Sequence, residues 1–370
     1  MQYVPYGKTG LTVSRFGLGC MRFPSNRNEA VSMVRYALDN GVNYLDTAYI
    51  YENSEVILGK ALKDGYREKA VLATKSPMWR IRKHADFEKY LDEQLSRLGV
   101  DCIDVYLLHN LGYDNWLRVK RHDGLTFLDK MVQKGKIKHK GFSFHGTLDS
   151  FKEIVDSFDW EMTLIQLNIL DDYYQAGIEG LKYAHDKDMA VVIMEPLRGG
   201  HLLNTVPDEV NKLINEYDER RPLVEWCFRW LYSMPEVTVI LSGTKTIEQL
   251  KQNIEIFNKA QYNAMSESDL ELIKKIKAVY ESKNTVNCTG CEYCMPCPSN
   301  VAIPEIFRMY NSLNLMKSHW VDKEMYRDNL VPEKKGADRC TECGICMSKC
   351  PQGIQIPDKL KQAHRSLMGR

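Results

Sequence analysis

The sequence has no long hydrophobic run and almost no net charge. No apolar stretch reaches the roughly 18 residues that a membrane-spanning helix requires, so we expect no membrane segment. The chain of 370 residues contains 50 lysines and arginines against 49 aspartates and glutamates, which gives a net charge of +1. This balance argues against a protein that binds nucleic acid or anionic membranes by general electrostatic attraction.

The first residues, MQYVPYGKTG, lack the basic start and apolar core of a secretory signal peptide, so we expect a cytoplasmic protein. In a reducing compartment the eleven cysteines are not expected to form a disulfide framework. Cys20, Cys102 and Cys227 are scattered and are expected to be small buried hydrophobic residues. The other eight cysteines lie between 288 and 350, and this shift in composition predicts domains over residues 1–283 and 284–370.

The first 280 residues alternate short apolar runs with amphipathic stretches, several of which end in glycine as helices often do. Eight runs predict strands: FGLGCM (16–21), NYLDTA (43–48), AVLATK (70–75), CIDVYLLH (102–109), IKHKGFSF (137–144), LIQLNI (164–169), AVVIMEP (190–196) and VTVILSG (237–243). Strands that are each followed by a helix are typical of an α/β fold of the (β/α)8, or TIM, barrel type. The opening segment YVPYGKTGLTVSRF predicts a hairpin across the barrel floor.

A doubly wound open sheet is the alternative architecture for this alternation of strands and helices. Such a sheet would need a glycine-rich turn, G-x-G-x-x-G, after its first strand. The segment GLGCM (17–21) does not complete that pattern, so the barrel is favoured.

In a barrel of this type, functional side chains lie at the carboxyl ends of the strands. The second predicted strand leads into DTAYIYENSE, which supplies Asp46 and Tyr51. The third ends in ATKSP, which supplies Lys75, and the fourth ends in YLLHNLG, which supplies His109. Any one of these residues alone could be explained by an ordinary structural role. Their joint occurrence at three successive strand ends favours a catalytic site.

These four side chains suit the delivery of a proton to a carbonyl oxygen. A free tyrosine has a pKa of about 10 and donates a proton poorly near neutral pH. We expect the ammonium of Lys75 to lower the pKa of Tyr51, and Asp46 to hold Lys75 charged and in place. His109 would hydrogen-bond the carbonyl oxygen and fix its orientation. The reaction that needs such a proton is hydride addition to the carbonyl carbon.

DTAYIYENSE, VLATKS and DVYLLHNLG resemble the three catalytic blocks of the aldo-keto reductases, in the order and spacing of that family. The resemblance covers about residues 1–260. It implies that Asp46, Tyr51, Lys75 and His109 form a catalytic tetrad with Tyr51 as the general acid. It also implies a nicotinamide cofactor bound without a Rossmann fold, and reversible hydride transfer to an aldehyde or ketone.

Further segments resemble the cofactor-binding blocks of the same family: GFSFHG (141–146), QLN (166–168), EPLRGGHL (195–202) and SGTKTIEQLKQN (242–253). The glycine pair of the third segment would let the chain lie close to a pyrophosphate, and the helix start in the fourth is a ready anion site. The resemblance implies cofactor contacts from Ser143, Gln166, Asn168, Pro196, Leu197, Gly199, Gly200, Gly243, Thr244, Lys245, Gln249 and Asn253.

This sequence departs from the family pattern at three places, two inside these blocks and one directly before the third block. In GFSFHG the usual Asn is missing, with Phe144 and His145 in its place, and Met194 replaces an aromatic residue that often stacks on the nicotinamide. Gln249 replaces the Arg that many members use to bind the 2′-phosphate, so Lys245 and Thr244 are the candidates for that role. We expect NADP as the cofactor, with NAD as the alternative.

The eight clustered cysteines form two runs, CTGCEYCMPCP and TECGICMSKCP. The second fits the bacterial [4Fe–4S] run C-x2-C-x2-C-x3-C-P, whose fourth cysteine ligates the other cluster of a ferredoxin-like pair. This pattern predicts two [4Fe–4S] clusters with crossed ligands. One would use Cys288, Cys291, Cys294 and Cys350, and the other would use Cys340, Cys343, Cys346 and Cys297.

Two alternatives for the cysteines stay open. The first run is one residue shorter between its third and fourth cysteines, which leaves room for a local site built from its own four thiols. Paired C-x2-C units also hold zinc, although an unbroken triple run followed by proline is less typical of zinc sites. The resemblance favours iron–sulfur clusters, because a prokaryotic branch of the aldo-keto reductases carries a C-terminal ferredoxin-like domain. CTGCEYCMPCP, GFSFHG and MEPLRGG are similar to that branch.

The leading hypothesis is a carbonyl reductase for a small-molecule substrate, with two [4Fe–4S] clusters. The clusters would exchange electrons with a redox partner such as a ferredoxin, or would hold together a small domain expected to have little apolar core. A redox-sensing or regulatory barrel with little turnover is the alternative, and a pure electron carrier is a weaker one. Trp79, Tyr113 and Trp116 follow the third and fourth strands and are candidates for the wall of the substrate pocket.

Overall fold

The computed structural model describes residues 1–146, 148–173, 175–204, 206–282, 285–315, 322–323 and 326–369. These residues form two compact units. The first comprises Met1–Pro196 and Cys227–Ser266, and the second comprises Leu197–Trp226 and Glu267–Arg370. The predicted boundary between residues 283 and 284 lies outside the described residues and stays a prediction.

In the first unit, eight parallel strands close into a barrel, with the last strand paired to the first, and this confirms the predicted (β/α)8 fold. Parallel strands that are covered on both faces read as continuous apolar runs, which is why they were visible in the sequence. The barrel strands are β3 (Phe16–Gly19), β4 (Tyr44–Asp46), β5 (Val71–Ser76), β6 (Ile103–Leu111), β7 (Ile137–Phe144), β8 (Met162–Gln166), β9 (Ala190–Met194) and β10 (Val239–Ser242).

The predicted hairpin at the amino terminus is confirmed. Strands β1 (Tyr3–Pro5) and β2 (Thr12–Ser14) pair antiparallel. Its turn lies at the amino end of β9, because the backbone nitrogen of Lys8 donates to the carbonyl of Asp188 at 3.0 Å. A side chain at Gly7 would come within 2.5 Å of the backbone of Ala190. The hairpin therefore lies at the floor of the barrel, opposite the carboxyl ends of the strands.

Helices follow the strands of the barrel, and their ends agree with ordinary capping rules. The Asn26 side chain accepts hydrogen bonds from the first turn of α1, Thr246 does the same for α11, and Gly99 ends α3 in the left-handed conformation. The helices of this unit are α1 (Arg27–Asp39), α2 (Ser54–Ala61), α3 (Ala85–Leu98), α4 (Tyr113–Arg121), α5 (Gly124–Gln133), α6 (Leu148–Asp156), α7 (Gly177–His185) and α11 (Ile247–Asn258).

The second unit contains the cysteine-rich segment and several helices: α8 (His201–Asn204), α9 (Asp208–Asn215), α12 (Glu267–Glu281), α13 (Ile303–Leu315), α14 (Ile345–Lys349) and α15 (Ile356–Met368). Helix α10 (Leu223–Tyr232) begins in this unit and ends in the first. Hydrogen bonds tie the discontinuous segments of the unit together, since Tyr280 donates to the carbonyl of Leu202 at 2.7 Å and Tyr217 donates to Asp269 at 2.8 Å.

The second unit has an apolar core, which the sequence analysis underestimated. Side chains of α13 and α15 pack together in one buried cluster, and Tyr326 joins it while its hydroxyl pairs with His364 at 2.6 Å. The cluster also contains Val286, Val301, Ala337 and Cys346. Part of the stability of this unit therefore comes from ordinary hydrophobic packing.

None of the helices in the described part of the chain combines the length and the apolar character that crossing a membrane would demand.

Candidate active site

The alternation of side chains along each barrel strand decides which residues point into the barrel. In β6, Val105 and Leu107 belong to the interior cluster, so His109 is the next residue on that side. In β8, Met162 and Leu164 belong to the same cluster, so Gln166 follows them. The same spacing places Asp46 after Tyr44 and Lys75 after Ala73. The predicted polar residues therefore share one side of the sheet and one end of the barrel.

Lys75 and Asp46 form a buried ion pair at this end of the barrel. The Lys75 Nζ lies 2.6 Å from Asp46 Oδ1, and it also donates to the carbonyl of Thr47 at 2.7 Å. Lys75 is fully buried and Asp46 is 4% exposed. Burial raises the pKa of Asp46, whereas the ammonium of Lys75 opposes that rise. The structure thus contains the predicted contact in which Asp46 fixes the position of Lys75.

Tyr51 and His109 lie beside this pair. The Lys75 Nζ is 5.0 Å from the centre of the Tyr51 ring, and the Tyr51 and His109 rings meet edge to face with centres 6.1 Å apart. Trp79 also packs against His109, with ring centres 5.3 Å apart, and its place in the pocket wall stays a prediction. Trp116 is buried and donates to Glu153, and the side chain of Tyr113 lies outside the described residues.

The structure corrects one expectation about Tyr51. Its pKa is raised well above the usual value, mainly by burial and further by the carboxylates of Asp46 and Glu195, rather than lowered by Lys75. The physical reason is that Lys75 is already paired with Asp46, which offsets its charge. The pKa of His109 is held well below its usual value, mainly by burial and further by Lys75. Near neutral pH the site therefore presents a protonated phenol and a neutral imidazole.

An irregularity in β6 sets the position of His109. The pairing of β6 with β7 shifts register between Leu108 and Leu111. Within this bulge Asn110 adopts a positive φ of 54°, and its backbone nitrogen donates to the hydroxyl of Ser143 at 2.7 Å. Bulges beside functional sites redirect single side chains, and this one lies directly after His109.

A buried polar network behind β5 was missed by the sequence analysis. The Gln94 amide nitrogen donates to Glu55 Oε1 at 2.7 Å, to Thr74 Oγ1 at 2.9 Å and to the carbonyl of Lys75 at 3.1 Å. Tyr106 donates to the Gln94 carbonyl oxygen at 2.8 Å. The signal was present, because Gln94 occupies a position on α3 where the helical period places apolar residues.

Buried polar atoms at this end of the barrel offer contacts to a polar ligand. Within the described residues, both amide atoms of Gln166 and the hydroxyl of Thr244 are buried without a hydrogen-bond partner. Gln166 is 1% exposed and Thr244 is 3% exposed. Native proteins seldom leave such groups unsatisfied, so these residues fit a bound group with amide and anionic parts. Their contacts with a nucleotide stay predictions.

The other predicted cofactor residues of the first unit are partly engaged within the protein. The Asn168 side chain bonds Asp171 and the carbonyl of Glu195, so its amide holds the loop after β8. Asn253 donates to the hydroxyl of Ser242 at 3.1 Å. Gln249 accepts a hydrogen bond from the backbone of Lys245 at 2.9 Å and closes the turn before α11.

Five further residues are predicted to contact the cofactor: Pro196, Leu197, Gly199, Gly200 and Gly243. Gly243 lies beside Gly19, where a side chain at Gly19 would come within 3.3 Å of its nitrogen, and Pro196 is buried after β9. Gly199 and Gly200 have positive φ values of 66° and 94° in the second unit, where Leu197 also lies. Their contacts with a cofactor stay predictions.

His145, which stands in the block where the family has Asn, is buried near His109. Its Nδ1 lies 3.0 Å from Gln175 Oε1, and burial lowers its pKa to about 4. This second imidazole is therefore neutral near pH 7.

In the second unit, the eight clustered cysteines line two small cavities. The first cysteine cavity is lined by Cys288, Cys291, Cys294 and Cys350. The second cysteine cavity is lined by Cys297, Cys340, Cys343 and Cys346. Each cavity thus takes three thiols from one sequence run and the fourth from the other run.

The donor set of each cavity fits an iron–sulfur cluster. Burial raises the pKa of Cys294 to about 12, with the neighbouring Cys291, Cys288 and Cys350 adding to the rise, so a metal must drive loss of the proton. Thiols spread around a cavity suit a polynuclear cluster better than one zinc ion.

Two protein-family models match this chain. The model of the aldo/keto reductase family matches residues 15–278. The model of the 4Fe-4S dicluster domain matches residues 287–355.

Individual relatives are similar at modest identity. The NADH-specific methylglyoxal reductase of Escherichia coli (strain K12) is 26% identical over 341 residues, which cover 76% of this chain and all of that protein. The uncharacterized oxidoreductase YqkF of Bacillus subtilis (strain 168) is 26% identical over 284 residues, covering 68% of this chain and 90% of that protein. Among solved structures, the holo form of aldo-keto reductase AKR11C1 from Bacillus halodurans has a TM-score of 0.64 at 26% identity, covering 75% and 96% of the two chains.

The match to the first family model spans more than half of the chain, and the closed barrel agrees with it. The chain is therefore an oxidoreductase that belongs to the aldo/keto reductase family and carries a C-terminal 4Fe-4S dicluster domain.

Proposed function

We propose that this protein reduces an aldehyde or ketone with a reduced nicotinamide nucleotide, and that Tyr51 is the general acid. The observation that carries the proposal is the grouping of Tyr51, His109 and the buried Lys75–Asp46 pair at one end of the barrel. When bound, the nicotinamide supplies a hydride to the carbonyl carbon. The oxygen then gains a proton, so an alcohol and an oxidised nucleotide are formed.

The residues have distinct roles in this proposal. The neutral imidazole of His109 donates a hydrogen bond to the carbonyl oxygen and orients it for attack. The Tyr51 hydroxyl transfers its proton to that oxygen as negative charge develops there. The Lys75 ammonium, fixed by Asp46, stabilises the charge left on the phenolate. Trp79 beside His109 limits the substrate on one side and excludes water.

Gln166 and Thr244 are proposed to bind the nucleotide, because their buried polar atoms lack partners within the described residues. NADPH is the proposed cofactor, with the exposed side chain of Lys245 near the 2′-phosphate. NADH is the competing choice. It is favoured by Gln249 in place of the family's Arg, and by the relative that is named an NADH-specific methylglyoxal reductase.

The second unit is proposed to hold two [4Fe–4S] clusters, one in each cysteine cavity. The crossed lining of the cavities supports this pairing over a local site made from the first cysteine run alone. Anaerobically purified protein should contain about eight iron atoms per chain and should show the broad visible absorption of such clusters. About four iron atoms would leave one cavity without a cluster, and zinc in place of iron would refute the assignment.

Replacement of Tyr51 by Phe tests the reductase. We expect Tyr51→Phe to lower kcat for carbonyl reduction about 100-fold or more, because only the proton donor is removed. Reduction of a small aldehyde such as methylglyoxal, followed through nucleotide oxidation with NADPH and with NADH, measures this. Tyr49→Phe is the matched control, because the Tyr49 hydroxyl bonds Glu93 on α3 rather than facing the site.

The same variants separate the reductase from the regulatory alternative. A regulatory barrel would bind nucleotide but would show little turnover in the wild-type protein across a panel of carbonyl compounds. Equal turnover in wild type and Tyr51→Phe would refute the assigned role of Tyr51.

A further inference from the structure

The two cysteine cavities differ in the polar side chains that line them. The first cysteine cavity is lined by Thr289 and Gln352 in addition to its four cysteines. Thr289 directly follows Cys288, and Gln352 lies two residues after Cys350. Both side chains are withdrawn from solvent, since Thr289 is 2% exposed and Gln352 is 8% exposed.

These two side chains have no hydrogen-bond partner among the residues that the structure describes. The Thr289 hydroxyl and both amide atoms of Gln352 are buried without one. A buried polar group without a partner loses its hydrogen bonds to water and gains none in return, so native proteins seldom leave one without a reason. The sulfur atoms of an iron–sulfur cluster accept hydrogen bonds, and a cluster in this cavity would be the missing acceptor.

The second cysteine cavity lacks this feature. Of its polar lining residues, Thr341 is exposed and Ser299 is half-buried, and their hydroxyls lie 3.2 Å apart and pair with each other. Of the described residues around this cavity, none has a buried polar side-chain atom without a partner. Cys343 is exposed, so solvent reaches this side of the second cysteine cavity.

We propose that Thr289 and Gln352 donate hydrogen bonds to cluster sulfur in the first cysteine cavity and raise the reduction potential of that cluster. The proposal rests on the assignment of a [4Fe–4S] cluster to each cavity. Reduction adds one electron and therefore one negative charge to the cluster, and nearby N–H and O–H donors stabilise the more negative form. The chain thus tunes its two clusters by different means, buried donors in one cavity and solvent in the other.

Potentiometric titration of the anaerobic holoprotein, followed by electron paramagnetic resonance, tests this proposal. Thr289→Val and Gln352→Met keep the side-chain size and remove the donors. Each variant should lower the ratio of reduced to oxidised cluster at a fixed potential by about threefold to tenfold. A tenfold change corresponds to about 59 mV for one electron. Both variants should shift the same one of the two redox transitions.

Matched variants separate the effect of losing the hydrogen-bond donor from the effect of changing the side-chain shape. Thr289→Ser keeps the hydroxyl and should keep the wild-type potential. Thr341→Val removes a hydroxyl from the second cysteine cavity, where it is exposed, and should leave the transition shifted by Gln352→Met unchanged. Unchanged potentials in both Thr289→Val and Gln352→Met, with full iron content, would overturn the proposal.

A measurement on the wild-type protein removes any dependence on variants that fail to assemble. With nitrogen-15 in the glutamine side chains, pulsed electron–nuclear spectroscopy should detect coupling between the reduced cluster and an amide nitrogen. The absence of this coupling would refute the role of Gln352. Wild-type protein without iron would instead refute the cluster assignment itself, so the two failures are distinguishable.

Discussion

At the carboxyl end of the barrel, burial keeps Tyr51 protonated, as a proton donor must be, and keeps the His109 ring neutral. Removing Lys75 and Asp46 from water is costly, and their contact at 2.6 Å offsets part of that cost for both charges. Tyr51 and His109 lie beside this pair without carrying a charge of their own, since burial favours the neutral form of each.

The pH dependence of carbonyl reduction follows from these directions. Tyr51 donates only below its pKa, which is raised, and His109 donates as a neutral ring only above its pKa, which is lowered. We therefore expect kcat/KM for carbonyl reduction to be flat between about pH 6.5 and pH 10, the range between the usual histidine and tyrosine pKa values. Steady-state rates across this range measure it. A tenfold fall per pH unit beginning near neutrality would mean that Lys75 lowers the pKa of Tyr51 after all.

The sequence identified these residues better than it described their electrostatics. Asp46, Lys75 and His109 could be recognised because strand ends converge in a barrel, whatever the details of packing. The direction of the Tyr51 pKa shift could not be predicted from the sequence, because it depends on burial and on the pairing of Lys75 with Asp46. Thr289 and Gln352 were not identified either, since their significance lies in hydrogen bonds that are not made within the described residues.

At the scale of elements, α3 helps to fix the end of β5. Gln94 projects from the buried face of α3 and bonds the carbonyl of Lys75, while Glu55 at the start of α2 accepts from both Gln94 and Thr74. The eight strands could be predicted because each is a short apolar run. The hydrogen-bond network around Gln94 could not be predicted, because it links residues from four elements that are far apart in sequence.

Replacement of Gln94 tests this support. Gln94→Met should lower the free energy of unfolding by about 3 kcal/mol, because the buried Glu55 carboxylate loses a donor. It should also lower kcat roughly tenfold with little change in KM, because the backbone that carries Lys75 would be less well fixed. Urea unfolding and steady-state kinetics measure the two effects.

Ser96→Ala on the exposed face of the same helix is the control for this change and should leave both quantities unaltered. A loss of stability with wild-type kcat would show that Gln94 supports the fold and not the position of Lys75.

At the scale of the whole molecule, the chain combines the barrel of the aldo/keto reductase family with a 4Fe-4S dicluster domain. The second unit is held together in two ways, by its apolar cluster between α13 and α15 and by the metal that its cysteines are proposed to bind. The expectation of little apolar core arose because the cysteine runs contain few large hydrophobic residues. The core is supplied mainly by the helices that follow each run, with Val286 before the first run and Tyr326 between the runs.

Removal of iron distinguishes the contributions of these two sources of stability. With a chelator under anaerobic reducing conditions, we expect residues 288–300 and 340–354 to lose protection against hydrogen exchange, because their cysteines lose a shared ligand. Helices α13 and α15 should remain at least tenfold slower to exchange than an unfolded chain, because their apolar contacts do not depend on iron. Peptides from β6 serve as the internal control and should be unchanged. Complete loss of protection in α13 and α15 would show that the clusters, rather than the apolar core, determine whether this unit folds.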